Sequence, residues 1–190
     1  QGFEVIGLFM RSGVSGAQTT GEKQGCCSVE DAMDARRRSE VVFNFYGAFH
    51  RSKVPVVCTV QGRALGFGCA ITSVCDITIA GESARFALPE MTHDLPPTLA
   101  MCAHIDRTMN KSIGWLVYST AQIDAENARN LGFVSHIVAA DQLKNETDIF
   151  LAALTDRSRV ALATCKSYLA NARLMETDKA ADYAGNLLSV

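Results

Sequence analysis

Apolar residues in this chain fall first into short β-branched runs broken by glycines and later into stripes spaced by three and four, the alternation of strands and helices expected of an α/β protein. Residues 3–10, FEVIGLFM, are apolar on both faces of an extended chain, which predicts a strand interior to a sheet. A helix is predicted from Ser28 to about His50. Ser28 can cap it, Glu30 and Asp31 suit the positive end of its dipole, and Val42, Phe45, Tyr46 and Phe49 form a stripe that faces the sheet. Residues 54–60 are a second buried strand, and Gly62, Gly66 and Gly68 flank a turn. Residues 69–74 come next as a helix of small apolar residues suited to close packing on that strand. A strand over 76–80, a turn at Gly81 and Glu82, and a short apolar piece over 84–88 lead to Glu90.

Beyond Glu90 the pattern is mostly helical. Residues 98–108 and 111–119 read as helices on either side of Asn110, and Asp124 caps another that Gly132 ends. Residues 133–138 form a short strand, and 141–154 and 158–172 are amphipathic helices with a candidate hinge at 156–159. The organisation expected is an α/β core over 1–140 and a helical region over 141–190.

The chemistry concentrates between residues 54 and 90. A strand, a glycine turn and a helix start leave backbone N–H groups in the open, a setting suited to negative charge developing on oxygen. The spacing G-x-x-x-G-x-G is neither G-x-G-x-x-G nor a phosphate loop ending in Lys-Ser/Thr, which argues against a nucleotide site. Glu90, a carboxylate, stands close behind.

Composition narrows the picture further. At 190 residues the chain suits one domain, and its formal net charge of −2 leaves no electrostatic footprint for nucleic acid. It has neither an apolar run able to span a bilayer nor a signal peptide at its start. Seven scattered cysteines without a C-x-x-C pair give no zinc ribbon or other metal site; reduced thiols in a cytoplasmic protein are the simplest account, with Cys58, Cys69 and Cys75 as small core hydrophobes.

The run VPVVCTVQGRALGFGCAITSVCDITIAGESARFALPE, residues 54–90, resembles the signature of the enoyl-CoA hydratase/isomerase (crotonase) family, and IDAENARNLGFVSHIVAADQL, residues 123–143, resembles its later helix and strand. The resemblance implies a ClpP/crotonase-like spiral core of ββα units with C-terminal helices that pack subunits into a homotrimer or hexamer. It implies an acyl-CoA thioester substrate, coenzyme A being part of the substrate and no other cofactor being needed. It also implies that a chain opening on Gln1 lacks the family's first strands.

Two backbone donors and one acid are implied residue by residue. In the oxyanion turn Gly66-Phe67-Gly68, the N–H of Phe67 is one donor, although Phe67 replaces a family glycine. The other comes from the loop over 11–25, where Ser15-Gly16-Ala17 is the nearest match and the donor is Ala17 or Gln18. Without the resemblance, that loop also reads as plain surface. Glu90 matches the family's second glutamate, whereas the first, found in hydratases after the turn cysteine, is replaced by Ala70. Arg36-Arg37-Arg38 reads as a solvated face in preference to a phosphate clamp, and His93 and Asp94 as surface groups.

Counting carboxylates selects the reaction. Hydration needs a water held and deprotonated, work usually shared by two carboxylates, and Ala70 can do neither. Moving a double bond from the 3,4 to the 2,3 position needs one base that takes a proton from the α-carbon and returns it to the γ-carbon. The expectation is therefore an isomerase that stabilises a thioester enolate, with Glu90 as acid and base. Hydration, decarboxylation, thioester hydrolysis and non-catalytic acyl-CoA binding are the alternatives.

Overall fold

A computed structural model describes residues 8–11, 29–105 and 107–188. Ala17, Gln18, the proposed cap Ser28 and residues 3–7 lie outside them. Two ββα units stacked side by side make the core. In the first, β2 (Val57–Gln61) runs into β3 (Arg63–Leu65) and then helix α2 (Phe67–Val74). In the second, β4 (Ile77–Gly81) leads to β5 (Arg85–Ala87), a 3-10 turn over Glu90–His93 and helix α3 (Thr98–His104).

The two units pair strand for strand. β2 and β4 are parallel neighbours in a four-stranded sheet completed by β1 (Leu8–Arg11) and β7 (His136–Val138), in the order β1-β2-β4-β7. β3 and β5 are parallel neighbours in a second sheet, where the short β6 (Ile123–Asp124) pairs antiparallel with β5. Passage from the first sheet to the second occurs at Gly62, whose φ of 89° is readily adopted by glycine alone. The register Leu65↔Ala87 then aligns the ends of β3 and β5, so the chain leaves both strands at the same level and the next residues of each lie side by side.

Helix α1 (Val29–Arg51) lies across α2 and α3. Tyr46 and Phe49 are buried and Val42 is partly so, but Phe45 is 37% exposed, so the predicted four-residue stripe is narrower than its spacing suggests. Phe86, Leu88 and Leu116 are fully buried, each stabilising the fold by about 2 kcal/mol. Cys58, Cys69 and Cys75 are buried free thiols.

The remaining helices cover this core. After α4 (Asn110–Ser119), Asp124 caps α5 (Ala125–Asn130), its carboxylate accepting from the Asn127 N–H at 2.8 Å. Helix α6 (Leu143–Thr155) packs on β2 and β4, and the chain breaks before α7 (Arg159–Asn171), near the predicted hinge. A further helix, α8 (Thr177–Leu187), lies within the helical region expected over 141–190, although no separate helix was delimited there. Lys166 anchors α7: its buried ammonium donates to Phe49 O at 2.8 Å, Val54 O at 3.0 Å and Asp76 Oδ2 at 2.7 Å. Asp76 also accepts from the Val56 N–H at 2.7 Å, so one ion pair ties α7 to both ends of the first unit.

Candidate active site

Strand pairing builds the site. Because Leu65 and Ala87 are register partners, the Gly66 N–H continues the ladder by donating to Ala87 O at 2.9 Å. Gly66 then turns the chain, at φ 54° and ψ −120°, a conformation essentially restricted to glycine, and α2 begins at Phe67. Ala70 N–H donates back to Gly66 O at 3.0 Å, and α2 has no side-chain cap. Among the described residues, nothing accepts from the Phe67 N–H, which is the first helical donor.

Glu90 arrives from the neighbouring strand. Leu88 is fully buried and Pro89 precedes the 3-10 turn, where the N–H and hydroxyl of Thr92 both donate to Pro89 O and the Leu95 N–H donates to Glu90 O at 3.2 Å. This backbone holds the side chain against Gly66: a Cβ there would stand 2.7 Å from Glu90 Oε1. The predicted turn and the predicted acid are thus brought into contact. Glu90 Oε2 is buried and has no hydrogen-bond partner among the described residues.

Two other side chains sense that carboxylate. Burial pushes the Tyr46 hydroxyl up to about 12, with Cys102 and Glu90 adding to the rise. Burial likewise raises the Cys69 thiol, again with a contribution from Glu90. Like Glu90 Oε2, the Tyr46 hydroxyl is buried and unpartnered among the described residues. Its ring stacks on Phe67 with centroids 5.9 Å apart and planes at 18°, while Phe45 lies 5.7 Å from Phe67 on an inclined plane. The Phe67 benzyl group has therefore turned outward, 45% exposed, onto α1.

Other predicted positions stand apart from this contact. Ala70 is fully buried in α2, a methyl group with no polar function. His93 and Asp94 are exposed, and so are Arg36 and Arg37, with Arg36 facing Glu40 on the same helix. The Ser73 hydroxyl lies 2.5 Å from His104 Nδ1, an arrangement that superficially suggests a nucleophile and its base. Both residues are buried, the imidazole is held neutral by burial that lowers it to about 4, and its ring edge meets Phe133, so the pair belongs to the core. Sequence reasoning missed the stacking of Tyr46 on Phe67 and its buried, unpartnered hydroxyl; the residue was visible only as one apolar position in a helical stripe.

A cavity of about 540 Å³ borders the turn that carries Glu90, lined by Met91, Leu95, Pro97, Met101, Val117 and Tyr118. Among the described residues, no cluster of three or more His, Cys, Asp and Glu side chains could hold a metal, and no helix is long and apolar enough to cross a membrane.

Comparison with known proteins bears on this arrangement. The family model described as enoyl-CoA hydratase/isomerase matches residues 13–187. A protein named probable enoyl-CoA hydratase from Mycobacterium leprae is 31% identical over 137 residues, covering 72% of this chain and 51% of its own. The 2,3-dehydroadipyl-CoA hydratase of Escherichia coli is 37% identical over 117 residues, or 60% of this chain and 46% of its own. The chain thus spans about half the length of the curated relatives it matches. Among solved structures, an enoyl-CoA hydratase of Mycobacterium smegmatis superposes with a TM-score of 0.77 at 23% identity, over 88% of this chain and 64% of that one. Human enoyl coenzyme A hydratase domain-containing protein 3 does so at 0.79 with 20% identity, over 85% and 64%. At such identities the structures establish the spiral fold alone.

Proposed function

Because the chain belongs to the enoyl-CoA hydratase/isomerase family, we propose that it transforms acyl-CoA thioesters through an enolate, with Glu90 as the proton-transferring acid and base. The observation that carries this reading is the contact between Glu90 and Gly66, which sets one carboxylate against the residue before the Phe67 N–H, a donor with no acceptor among the described residues. In the proposed mechanism, the thioester oxygen accepts from the Phe67 N–H and from a second amide contributed by Ala17 or Gln18. Glu90 removes a proton from the α-carbon, the electron pair moves onto the thioester oxygen, and the cradle stabilises that charge. An oxyanion donor of this kind lowers the barrier by about 3 to 4 kcal/mol. Returning the proton to the γ-carbon moves the double bond. The cavity beside Met91 and Met101 offers an apolar wall for an acyl tail.

Double-bond migration is the reaction that one carboxylate performs unaided, and Ala70 supports it. Hydration is the second reading, favoured by the names of the relatives, which are hydratases. We propose further that subunits assemble as a trimer or hexamer through the C-terminal helices, which leave Leu169, Leu174 and Leu188 more than 70% exposed. Supplying the protein with a 3-enoyl-CoA and a 2-enoyl-CoA in parallel tests the reaction. Migration faster than hydration is expected; turnover of neither substrate would overturn the reading.

A further inference from the structure

Tyr118 belongs to two cavities at once. Its side chain lines the cavity of about 540 Å³ beside the turn that carries Glu90, and also a shallower groove of about 720 Å³ on the surface of α4, together with Asn110, Lys111, Gly114, Trp115 and Ser119. The helical repeat explains the groove. Residues 110, 114 and 118 form one row on α4 and residues 111 and 115 the next, while Ile113, Leu116 and Val117 are buried and hold the helix to the core. Gly114 leaves the middle of the outer face without a side chain, and the Tyr118 ring lies back over it, its Cε2 3.7 Å from where a Cβ would stand.

Trp115 and Tyr118 are 66% and 79% exposed, and Met91 and Leu95 of the first cavity are exposed as well. Large apolar side chains left open side by side mark a binding surface. The start of this track indicates what it binds: Met91 follows Glu90 in the 3-10 turn, and α4 packs against that turn. An apolar path thus leaves the carboxylate, passes Tyr118 and continues along α4, a helix of about 15 Å, to the polar Asn110 and Lys111 at its other end.

We infer that the substrate is a long-chain acyl thioester whose tail fills the first cavity, passes Tyr118 and lies against Trp115 in the groove of α4. This inference rests on the acyl-CoA reading of the Glu90 site and specifies the substrate class of that site. A short acyl chain ends within the first cavity; a long one reaches Trp115. Each methylene taken out of water strengthens binding by up to about fourfold when fully buried, and by less in a groove open on one side. Trp115 and Tyr118 touch the tail and not the reacting carbons, so they select the chain and leave the proton transfer to Glu90.

The test is equilibrium binding of butyryl-CoA and of palmitoyl-CoA, the latter held below its micelle-forming concentration, to the wild-type protein, Trp115→Ser, Tyr118→Ser and Val41→Ser. Val41 is exposed on α1 and lines neither cavity, so its variant reports what the loss of any exposed apolar side chain does. All three side chains are exposed, and their replacement leaves the fold intact. The ratio of the butyryl-CoA to the palmitoyl-CoA dissociation constant is expected to fall about 10-fold in each α4 variant, through palmitoyl-CoA alone, and to stay unchanged in Val41→Ser. A ratio unchanged in the α4 variants, an equal fall in Val41→Ser, or binding of neither acyl-CoA overturns the inference. A second copy of the chain seated on α4 would instead change the sedimentation coefficient of Trp115→Ser with the ratio intact, which overturns it too. Binding of palmitoyl-CoA as expected, without exchange of its α-hydrogens, overturns the enolate reading and leaves the groove standing.

Discussion

The carboxylate of Glu90 occupies the space that a side chain at residue 66 would need, its Oε1 standing 2.7 Å from the position of a Cβ on Gly66. Glycine is required there twice, for this approach and for a φ of 54° with ψ of −120°. Gly66→Ala is expected to cost about 1–3 kcal/mol in backbone strain and to displace Glu90. A displacement near 1 Å lowers turnover by about 10²-fold. Thermal melts and steady-state rates of the variant check both parts.

The group of Phe67 assigned to the reaction is its N–H. Phe67→Ala keeps that donor and removes the ring stacked on Tyr46 and facing Phe45, contacts worth about 0.5–1.5 kcal/mol each. Stability is expected to drop by about that amount while α-proton abstraction stays within a few-fold of wild type. Chemical denaturation and turnover with a 3-enoyl-CoA, measured together, separate the two effects.

Lys166 and Asp76 join segments 90 residues apart through a 2.7 Å contact. Lys166→Met removes the ammonium and leaves the Asp76 carboxylate, one-quarter exposed, with the Val56 N–H as its one remaining partner among the described residues. Removal of one partner of a buried pair costs about 3 kcal/mol or somewhat more. The midpoint of urea unfolding should fall accordingly. An unchanged midpoint would mean that α7 is held by apolar packing alone.

His104 gives the fold a pH dependence. Burial lowers it from 6.5 to about 4, so between those values the unfolded chain binds a proton that the folded chain does not. The stability contributed by keeping the ring neutral is complete above about pH 6.5 and is lost as the pH falls through that window, a loss of about 3 kcal/mol by its lower end. Unfolding free energies at pH 7 and pH 5 should therefore differ more in the wild-type protein than in His104→Gln. Equal differences would contradict the assignment.

The sequence made some of this legible and concealed the rest, for physical reasons. The β-branched run ending at Val60, the glycines and the small residues of α2 announce a strand, a turn and a helix locally, and the resemblance to the family supplied Glu90. β3 and β5 are three residues each, too short to show a period, although their register is what brings Gly66 and Glu90 together. The apolar positions of α8 are mostly alanines, so no stripe of large side chains delimited it within the expected helical region. Contacts between distant segments, such as the Tyr46 ring on Phe67 or Lys166 on Asp76, leave no trace in spacing. The outward turn of the Phe67 ring likewise depends on where α1 crosses α2.

Exchange of the α-hydrogen of a saturated acyl-CoA with deuterated water asks only for a base and an enolate cradle, with neither double bond nor added water involved. Comparing the wild-type protein with Glu90→Gln by mass spectrometry therefore tests the central claim most directly. Exchange by the wild-type protein that falls by about 10²- to 10⁴-fold in the variant is the predicted result. Equal exchange in the two proteins would contradict it.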